Sequence, residues 1–326
     1  MKLKIVILLT FFSGVVAFGQ QLPIYSQYIY NKILINPSVA GTDGYTRFSL
    51  IAREQWAGYT ESPRTFTAAW QTRFLKQNYS IKQRSNNRQT FKPSTAGRVG
   101  LGGYIFSDRN GLINRNGTQF SYAYHTWVQQ NTQLSFGLAA NIYHYRIDAN
   151  KINFEDPDDP IMNSSLRRGL FVPDAAFGIS LLNPKFSLGI SADQLFQASG
   201  KIGGSNSYND FSLKRQYFLF GSYDIEQGLE NIIQPSFLIM TSEQMMPQAD
   251  IGVTYIFHDD FCIGMAYRTS KAMIATVGIN NKNMFIGYAF DYTLQEIQRV
   301  TYGTHELSFA IKFGDSSRKY RWLDRY

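Results

Sequence analysis

The sequence predicts an all-β fold, a transmembrane antiparallel β-barrel of about 14 strands with a short N-terminal periplasmic segment. Three observations predict it: a secretory leader, an alternation of apolar with small or polar residues, and connections of unequal length at the two ends of the strands. The composition agrees, with 15% aromatic and 17% charged residues and no run after the leader as long as the roughly 20 apolar residues of a membrane helix. A soluble β-sandwich shares part of this composition and stays open as an alternative.

The first 19 residues have the three parts of a signal peptide. Lys2 and Lys4 precede an apolar stretch that extends to Phe18, and Ala17 and Gly19 are small residues suited to cleavage before Gln20. This pattern predicts export by a cleaved signal peptide over residues 1–19. The only cysteine, Cys262, excludes an internal disulfide, and we expect it to be a buried or lipid-facing small residue.

The strands are indicated by a period of two. From Met284 to Tyr292, large apolar side chains alternate with Phe285, Gly287, Ala289 and Asp291, as on a strand with one face in lipid and one in a crowded lumen. About fourteen such segments begin near Arg47, Arg64, Arg98, Asn116, Thr132, Leu170, Lys185, Lys214, Asn231, Gln248, Asp260, Ala272, Asn283 and His305. An even number closes the sheet, so no unpaired edge is left in lipid.

The connections predict the orientation of the barrel. If the first strand runs outward, the cell-surface loops are 57–63, 109–115, 149–169, 196–213, 242–247, 270–271 and 293–303. The periplasmic turns are then 77–96, 129–131, 183–184, 226–230, 258–259 and 281–282, of which only the first is long, and that one is basic. Long outer loops and short periplasmic turns are typical of outer-membrane barrels. We therefore divide the mature chain into an N-terminal periplasmic segment or plug (20–44), an outer-membrane barrel (45–313) and a basic periplasmic tail (314–326).

The aromatic residues near the predicted strand ends are Tyr28, Tyr30, Tyr45, Trp56, Tyr59, Tyr122, Tyr124, Trp127, Tyr143, Tyr145, Tyr217, Tyr223, Tyr292 and Tyr302. We expect several of them to form the girdles that hold a barrel at its depth in the bilayer.

The search for catalytic residues is negative. The four histidines are scattered without metal-ligand spacing, and no nucleophile elbow is present. We expect no enzymatic activity, no catalytic residue, no cofactor, no metal centre and no nucleic-acid partner. One acidic loop contains Glu155, Asp156, Asp158 and Asp159. It is either a solvated loop or a surface site for a cation or partner.

Two N-terminal blocks carry a family resemblance. The first contains Gln21, Pro23, Tyr25, Ser26, Gln27, Tyr28, Asn31, Asn36, Pro37, Ala40 and Gly41. It resembles the opening signature of the PorP/SprF family, Q-x-P-x-[FY]-S-Q-[YF]-x-x-N-x-x-x-x-N-P-x-x-A-G. The second contains Arg53, Gln55, Trp56 and Gly58 and resembles the family block R-x-Q-W-x-G; Gly100 to Gly103 and the stretch with Pro173, Asp174 and Gly178 follow in family order.

The resemblance implies a non-enzymatic outer-membrane component of the type IX secretion and gliding machinery of the Bacteroidetes. Its implied partners are outer-membrane lipid, secreted adhesins with a type B C-terminal sorting domain, and other components of the machinery, including periplasmic ring or motor-associated proteins. A barrel of about 14 strands is too narrow for a folded adhesin, so we expect docking or anchoring of the substrate. The alternative is an outer-membrane transport barrel for small or hydrophobic solutes.

Overall fold

The computed structural model describes residues 23–74, 99–129, 132–148, 169–197, 199–201, 210–228, 231–243, 245–258, 260–281 and 283–313. The predicted leader, the basic connection at 77–96, the acidic loop with Glu155 and Asp159, and the tail at 314–326 lie outside the described residues.

Fourteen antiparallel strands form a closed barrel. They are β1 (Thr46–Glu54), β2 (Arg64–Phe74), β3 (Val99–Asn110), β4 (Ile113–Gln129), β5 (Thr132–Ile147), β6 (Leu170–Asn183), β7 (Phe186–Asp193), β10 (Gln216–Tyr223), β12 (Asn231–Ser242), β13 (Met245–Phe257), β14 (Phe261–Arg268), β15 (Ala272–Asn281), β16 (Met284–Thr293) and β17 (Thr304–Phe313). The ring closes because β1 pairs with β2 and β17, and β10 pairs with β7 and β12. The predicted fold and strand number are confirmed.

Smaller elements lie between the barrel strands. Three short strands are β8 (Ser199–Lys201), its partner β9 (Asp210–Ser212), and β11 (Ile225–Gln227), which pairs with β12. Four 3₁₀ helices are described, at Tyr28–Tyr30, Lys32–Leu34, Pro37–Val39 and Glu296–Val300. None of the described helices is long and apolar enough to cross a membrane.

The two faces of the wall differ as the alternation predicts. In β16, Met284, Ile286 and Tyr288 are exposed outward, whereas Phe285 and Gly287 are buried inward. Large exposed apolar residues continue around the outside of the barrel, and inward positions are mostly small or polar. This separation suits a wall with lipid outside and a crowded lumen inside.

The two ends of the barrel have different connections. We call one the long-loop end, with connections 55–63, 111–112, 148–169, 194–215, 243–244, 269–271 and 294–303, and the other the short-turn end. Two loops predicted at the long-loop end, 109–115 and 242–247, are wrong: β3 and β4 continue to a two-residue turn at Gly111, and β13 already begins at Met245. The ladder between β3 and β4 continues to the pair of Asn110 and Ile113, which leaves only Gly111 and Leu112 for the turn.

Residues 23–44, which we call the lumen segment, lie inside the barrel against the inward face of the wall. The girdle prediction is therefore wrong for Tyr28 and Tyr30, which are in this segment. It is also wrong for Tyr143 and Tyr145, which are buried inward in β5 because they lie on the same face of the strand as Asn141. Tyr122, Tyr124, Tyr217, Tyr223 and Tyr292 are exposed outward, as expected for girdle residues.

Candidate functional site

The lumen segment is built from short turns that its own residues specify. The Asn36 side chain accepts hydrogen bonds from the backbone N–H (2.9 Å) and hydroxyl (2.7 Å) of Ser38. It thereby caps the 3₁₀ helix that begins at Pro37, a residue suited to a first helical position. Gly41, with φ +70°, reverses the chain toward β1. The motif residues Asn36, Pro37, Ala40 and Gly41 thus shape the segment locally.

A buried charge network holds the leading part of this segment at the long-loop end. Arg53 forms 2.8 Å ion pairs with both Asp291 and Glu306. The two Glu306 carboxylate oxygens accept the backbone N–H groups of Ser26 (2.8 Å) and Gln27 (2.9 Å). The Ser26 hydroxyl donates to Asp291 at 2.6 Å and accepts from Arg53 at 2.8 Å. The motif residues Ser26, Gln27 and Arg53 therefore meet at one site.

The network extends to the neighbouring strands. Arg268 pairs with Asp250 at 2.8 Å and with Asp291 at 3.4 Å. Two guanidinium groups thus face three carboxylates, and the backbone N–H groups of Ser26 and Gln27 supply two further donors, both to Glu306. The arrangement can bind a polypeptide backbone, which is what it does here.

The middle of the lumen segment is held by neutral contacts. Asn36 donates to the carbonyl oxygens of Ile179 (3.2 Å) and Ile190 (3.1 Å), and the hydroxyl groups of Ser38 and Ser180 are hydrogen-bonded to each other at 2.8 Å. His125 contacts the Ala40 carbonyl oxygen at 2.9 Å through Nε2. Because that oxygen can only accept, Nε2 carries the proton.

Inward glycines leave room for the segment. A Cβ atom added at four of them would overlap the lumen segment. At Gly100 it would meet Ala40, at Gly137 Ser38, at Gly178 Asn36, and at Gly287 Gln27. They lie in β3, β5, β6 and β16, on different sides of the barrel. The small residues of the inner face therefore match the segment in shape.

The block from Gln55 to Gly58 joins two connections at the long-loop end. Ala57 N–H donates to the Gly303 carbonyl oxygen and Tyr302 N–H to the Ala57 carbonyl oxygen, both at 2.8 Å. Gln55 N–H donates to the Pro63 carbonyl oxygen at 2.8 Å. Trp56 and Gly58 have φ values of 55° and 86°, and a Cβ atom at Gly58 would overlap the Tyr302 ring. These residues shape the rim of the barrel.

The remaining predicted residues have separate positions. Tyr25 bonds Thr67 at 2.7 Å across the lumen, while Asn31 is buried in the segment. Pro173 lies on the outward face of β6. Asp174 faces inward and accepts the Phe196 N–H at 2.9 Å. Within the described part of the chain, no group of three or more His, Cys, Asp or Glu could hold a metal ion.

An apolar cleft remains between the lumen segment and the wall at the long-loop end. Its cavity volume is about 50 Å³. The segment contributes Ile24 and Leu34 among others, and the wall contributes Phe218, Met240 and Met246. None of the described residues that line the cleft is charged.

Sequence reasoning did not find the residues that bind the segment. The alternation placed Asp291 and Glu306 on the inner face, but a period of two gives no information about which side chains meet across a lumen. Polar residues of that face form further contacts, such as Asn141 with Asp193 at 2.6 Å and Arg73 with Gln133 at 2.8 Å. Charged residues on a face otherwise rich in Gly and Ser were the available signal.

Comparison with solved structures finds barrels of low similarity. A monoaromatic hydrocarbon channel, CymD, is 9% identical with a TM-score of 0.49, covering 91% of this chain and 95% of that one. Omp33 of Acinetobacter baumannii is 8% identical with a TM-score of 0.45 (83% and 100% covered). The P. putida toluene transporter TodX is 7% identical with a TM-score of 0.45 (86% and 93% covered). The comparison with curated proteins finds no match.

The sequence profile of one family matches nearly the whole chain. Residues 17–311 match the type IX secretion system membrane protein PorP/SprF. The fold and the family together place the chain in the outer membrane, in association with other type IX secretion components. The chain belongs to the PorP/SprF family of type IX secretion system membrane proteins.

Proposed function

We propose that this barrel docks and anchors an adhesin-type secreted substrate through a type B C-terminal sorting domain, without enzymatic activity. The long-loop end faces the cell surface and holds the substrate. The short-turn end faces the periplasm, where the basic connection at 77–96 and the tail meet ring or motor-associated components. The observation that carries the proposal is the occupied lumen.

The lumen segment contacts the wall on every side, which favours docking over passage. Its residues meet Arg53 in β1, Gly137 in β5, Ser187 in β7, Cys262 in β14 and Glu306 in β17. A polypeptide in transit would have to displace these contacts, including the buried ion pairs. A barrel with an occupied lumen is better suited to present a fixed surface.

The long-loop end also exposes large apolar side chains. Met246 and Tyr302 are each 78% exposed and Phe196 is 72% exposed. Single exposed apolar residues are common on proteins, but these three all lie at the long-loop end of the barrel. Aromatic residues and methionine are enriched at the core of protein interfaces.

The test is capture of the substrate by the tagged full chain in mild detergent. We expect a large adhesin with a C-terminal sorting domain, and a loss of roughly tenfold or more when Tyr302→Ser and Phe196→Ser are combined. Val277→Ala on the outward face of β15 is the control and should leave capture unchanged. Capture of no adhesin, together with a wide open channel in planar bilayers, would refute the proposal.

The alternative function is transport of small or hydrophobic solutes, and the apolar cleft is the observation that favours it. Conductance separates the two functions. On the docking proposal the full chain conducts poorly, and deletion of residues 23–31 raises the conductance because polar lumen walls are then exposed to water. A transporter would conduct or take up solute with the lumen segment intact.

A further inference from the structure

We infer that the apolar cleft receives an uncharged apolar side chain of the docked polypeptide, entering from the long-loop end. The inference rests on the proposed docking function and names the feature of the partner that the barrel would recognise. The occupant is an aliphatic or aromatic side chain on an extended backbone.

The chemistry of the cleft selects for an uncharged occupant. Phe218, Leu238 and Met240 form part of the wall, and no charged side chain lines the cleft among the described residues. Burying an ion here without a partner would cost several kcal/mol. Two of the wall residues are methionines, Met240 and Met246, whose flexible thioethers adapt to side chains of different shape. The cleft thus suits a family of apolar anchors.

The position of the cleft favours a tethered side chain over a solute in transit. Thr241, Ser242 and Met246 line it at the connection between β12 and β13, where Met246 is mostly exposed. On the other side the lumen segment closes it, and residues 28–44 occupy the lumen toward the short-turn end. The cleft is therefore a recess between the lumen segment and the wall. Recognition needs such a recess, whereas passage needs an exit.

A polar group in the cleft fits the backbone that would carry the anchor. Nε2 of Gln248 is buried and has no hydrogen-bond partner among the described residues. Leaving a buried donor unpaired is unfavourable, and a peptide carbonyl oxygen would accept its hydrogen bond. The β12–β13 register is irregular between Met240 and Ser242, and such irregularities re-aim side chains next to binding sites. An apolar side chain with an adjacent carbonyl satisfies both features.

The first test uses two capped peptides: the neutral acetyl-Ser-Gly-Phe-Gly-Ser-amide, and the same peptide with Asp in place of Phe, which carries one negative charge. The detergent-solubilised full chain carries Met246→Cys together with Cys262→Ser, and a benzophenone is attached at position 246. The rim control carries Leu294→Cys together with Cys262→Ser, with the benzophenone at position 294. We expect photo-labelling of the Phe peptide to exceed that of the Asp peptide by roughly tenfold or more at position 246, and equal labelling at position 294. Equal labelling of the two peptides at position 246 would overturn the inference.

The second test measures adhesin capture with charged cleft variants. Met240→Asp and Met246→Asp should each weaken capture by roughly tenfold or more, and Met240→Leu should retain it. Gel mobility before and after heating checks that each barrel is folded, and Met246 is exposed enough for its substitution to leave folding intact. Full capture by both Asp variants would overturn the inference while leaving the docking function standing. If the unaltered chain captures no adhesin, the docking function fails and the peptide preference still decides whether the cleft binds apolar side chains.

Discussion

At the scale of single residues, Arg53 connects the barrel wall to the lumen segment. Its guanidinium group is 6% exposed and contacts two carboxylates and the Ser26 hydroxyl. Of those carboxylates, Glu306 accepts the backbone N–H groups of Ser26 and Gln27, and Asp291 accepts the Ser26 hydroxyl. Removing the arginine would leave buried negative charges with fewer partners, which costs more than the pair itself contributes.

We predict that Arg53→Leu lowers the free energy of unfolding by about 3–5 kcal/mol, the usual effect of removing one partner of a buried ion pair. Urea unfolding of the refolded barrel measures it. The matched control is Arg64→Leu, because Arg64 pairs with Glu54 at 2.8 Å in an exposed position and should cost less than about 1 kcal/mol. Equal effects of the two substitutions would show that the inner network does not stabilise the fold.

Lys32 gives a pH-dependent prediction. Burial lowers the pKa of its ammonium group to about 8, although the Asp224 carboxylate opposes the shift. The unfolded chain keeps its proton up to about pH 10.5, so between these values the unfolded state binds more protons and stability rises with pH. We expect the wild-type chain to gain roughly 2–3 kcal/mol relative to Lys32→Met over this window. The unfolding free energies of both proteins, measured in steps of about one pH unit from pH 7 to 10.5, give this gain. A difference between the two proteins that stays constant with pH would contradict the prediction.

At the scale of elements, the inner faces of the strands and the lumen segment depend on each other. Gly137 in β5 faces Pro37 and Ser38, and Gly178 in β6 faces the Asn36 side chain. A β-branched residue would pack better than glycine in most strands. Glycine is needed here because the backbone of another element approaches closely.

We predict that Gly137→Val displaces the lumen segment while the barrel stays closed. The added side chain overlaps the backbone at Ser38, so Lys32, which is buried in the native chain, becomes open to trypsin. Mass spectrometry of the digest detects the new cleavage. Gly264→Val is the control, since Gly264 also faces inward but meets only wall residues, Thr254 and Thr276. Cleavage at Lys32 in both variants, or in neither, would show that Gly137 has no special role.

At the scale of the whole molecule, the outward face must match a bilayer. Val277 lies at the centre of β15 and Met273 near its long-loop end, and both point outward with about half of the side chain exposed. The middle of a strand lies deepest in the hydrocarbon core of the bilayer, so a charge there has no water within reach.

We predict that Val277→Arg destabilises the barrel in lipid vesicles by about 2–4 kcal/mol and that Met273→Arg costs at most about 1 kcal/mol. Unfolding by urea in vesicles measures both. The two positions share a strand and a face, so depth in the bilayer is the only intended difference. A larger cost at Met273 than at Val277 would place the membrane differently along the strand.

The sequence by itself determined much of the wall of this protein: its strand number, the start of each strand to within a few residues, and the apolar face of β16. It could do so because successive side chains of a strand face lipid and lumen in turn, and this alternation shows in the order of neighbouring residues. Membership of the PorP/SprF family was also readable, from Pro23 to Gly41 and from Arg53 to Gly58.

Only the tertiary structure decided what the inner face does. Ser26 and Glu306 are 280 residues apart in the chain, and no local pattern reports that they meet. Tyr143 was misassigned for the same reason, because an aromatic residue near a strand end can face lipid or lumen and only its register decides. The closed ring brings Arg53, Asp291 and Glu306 together around the lumen segment and leaves the apolar cleft beside it. Those contacts depend on closure and register, which are properties of the whole barrel.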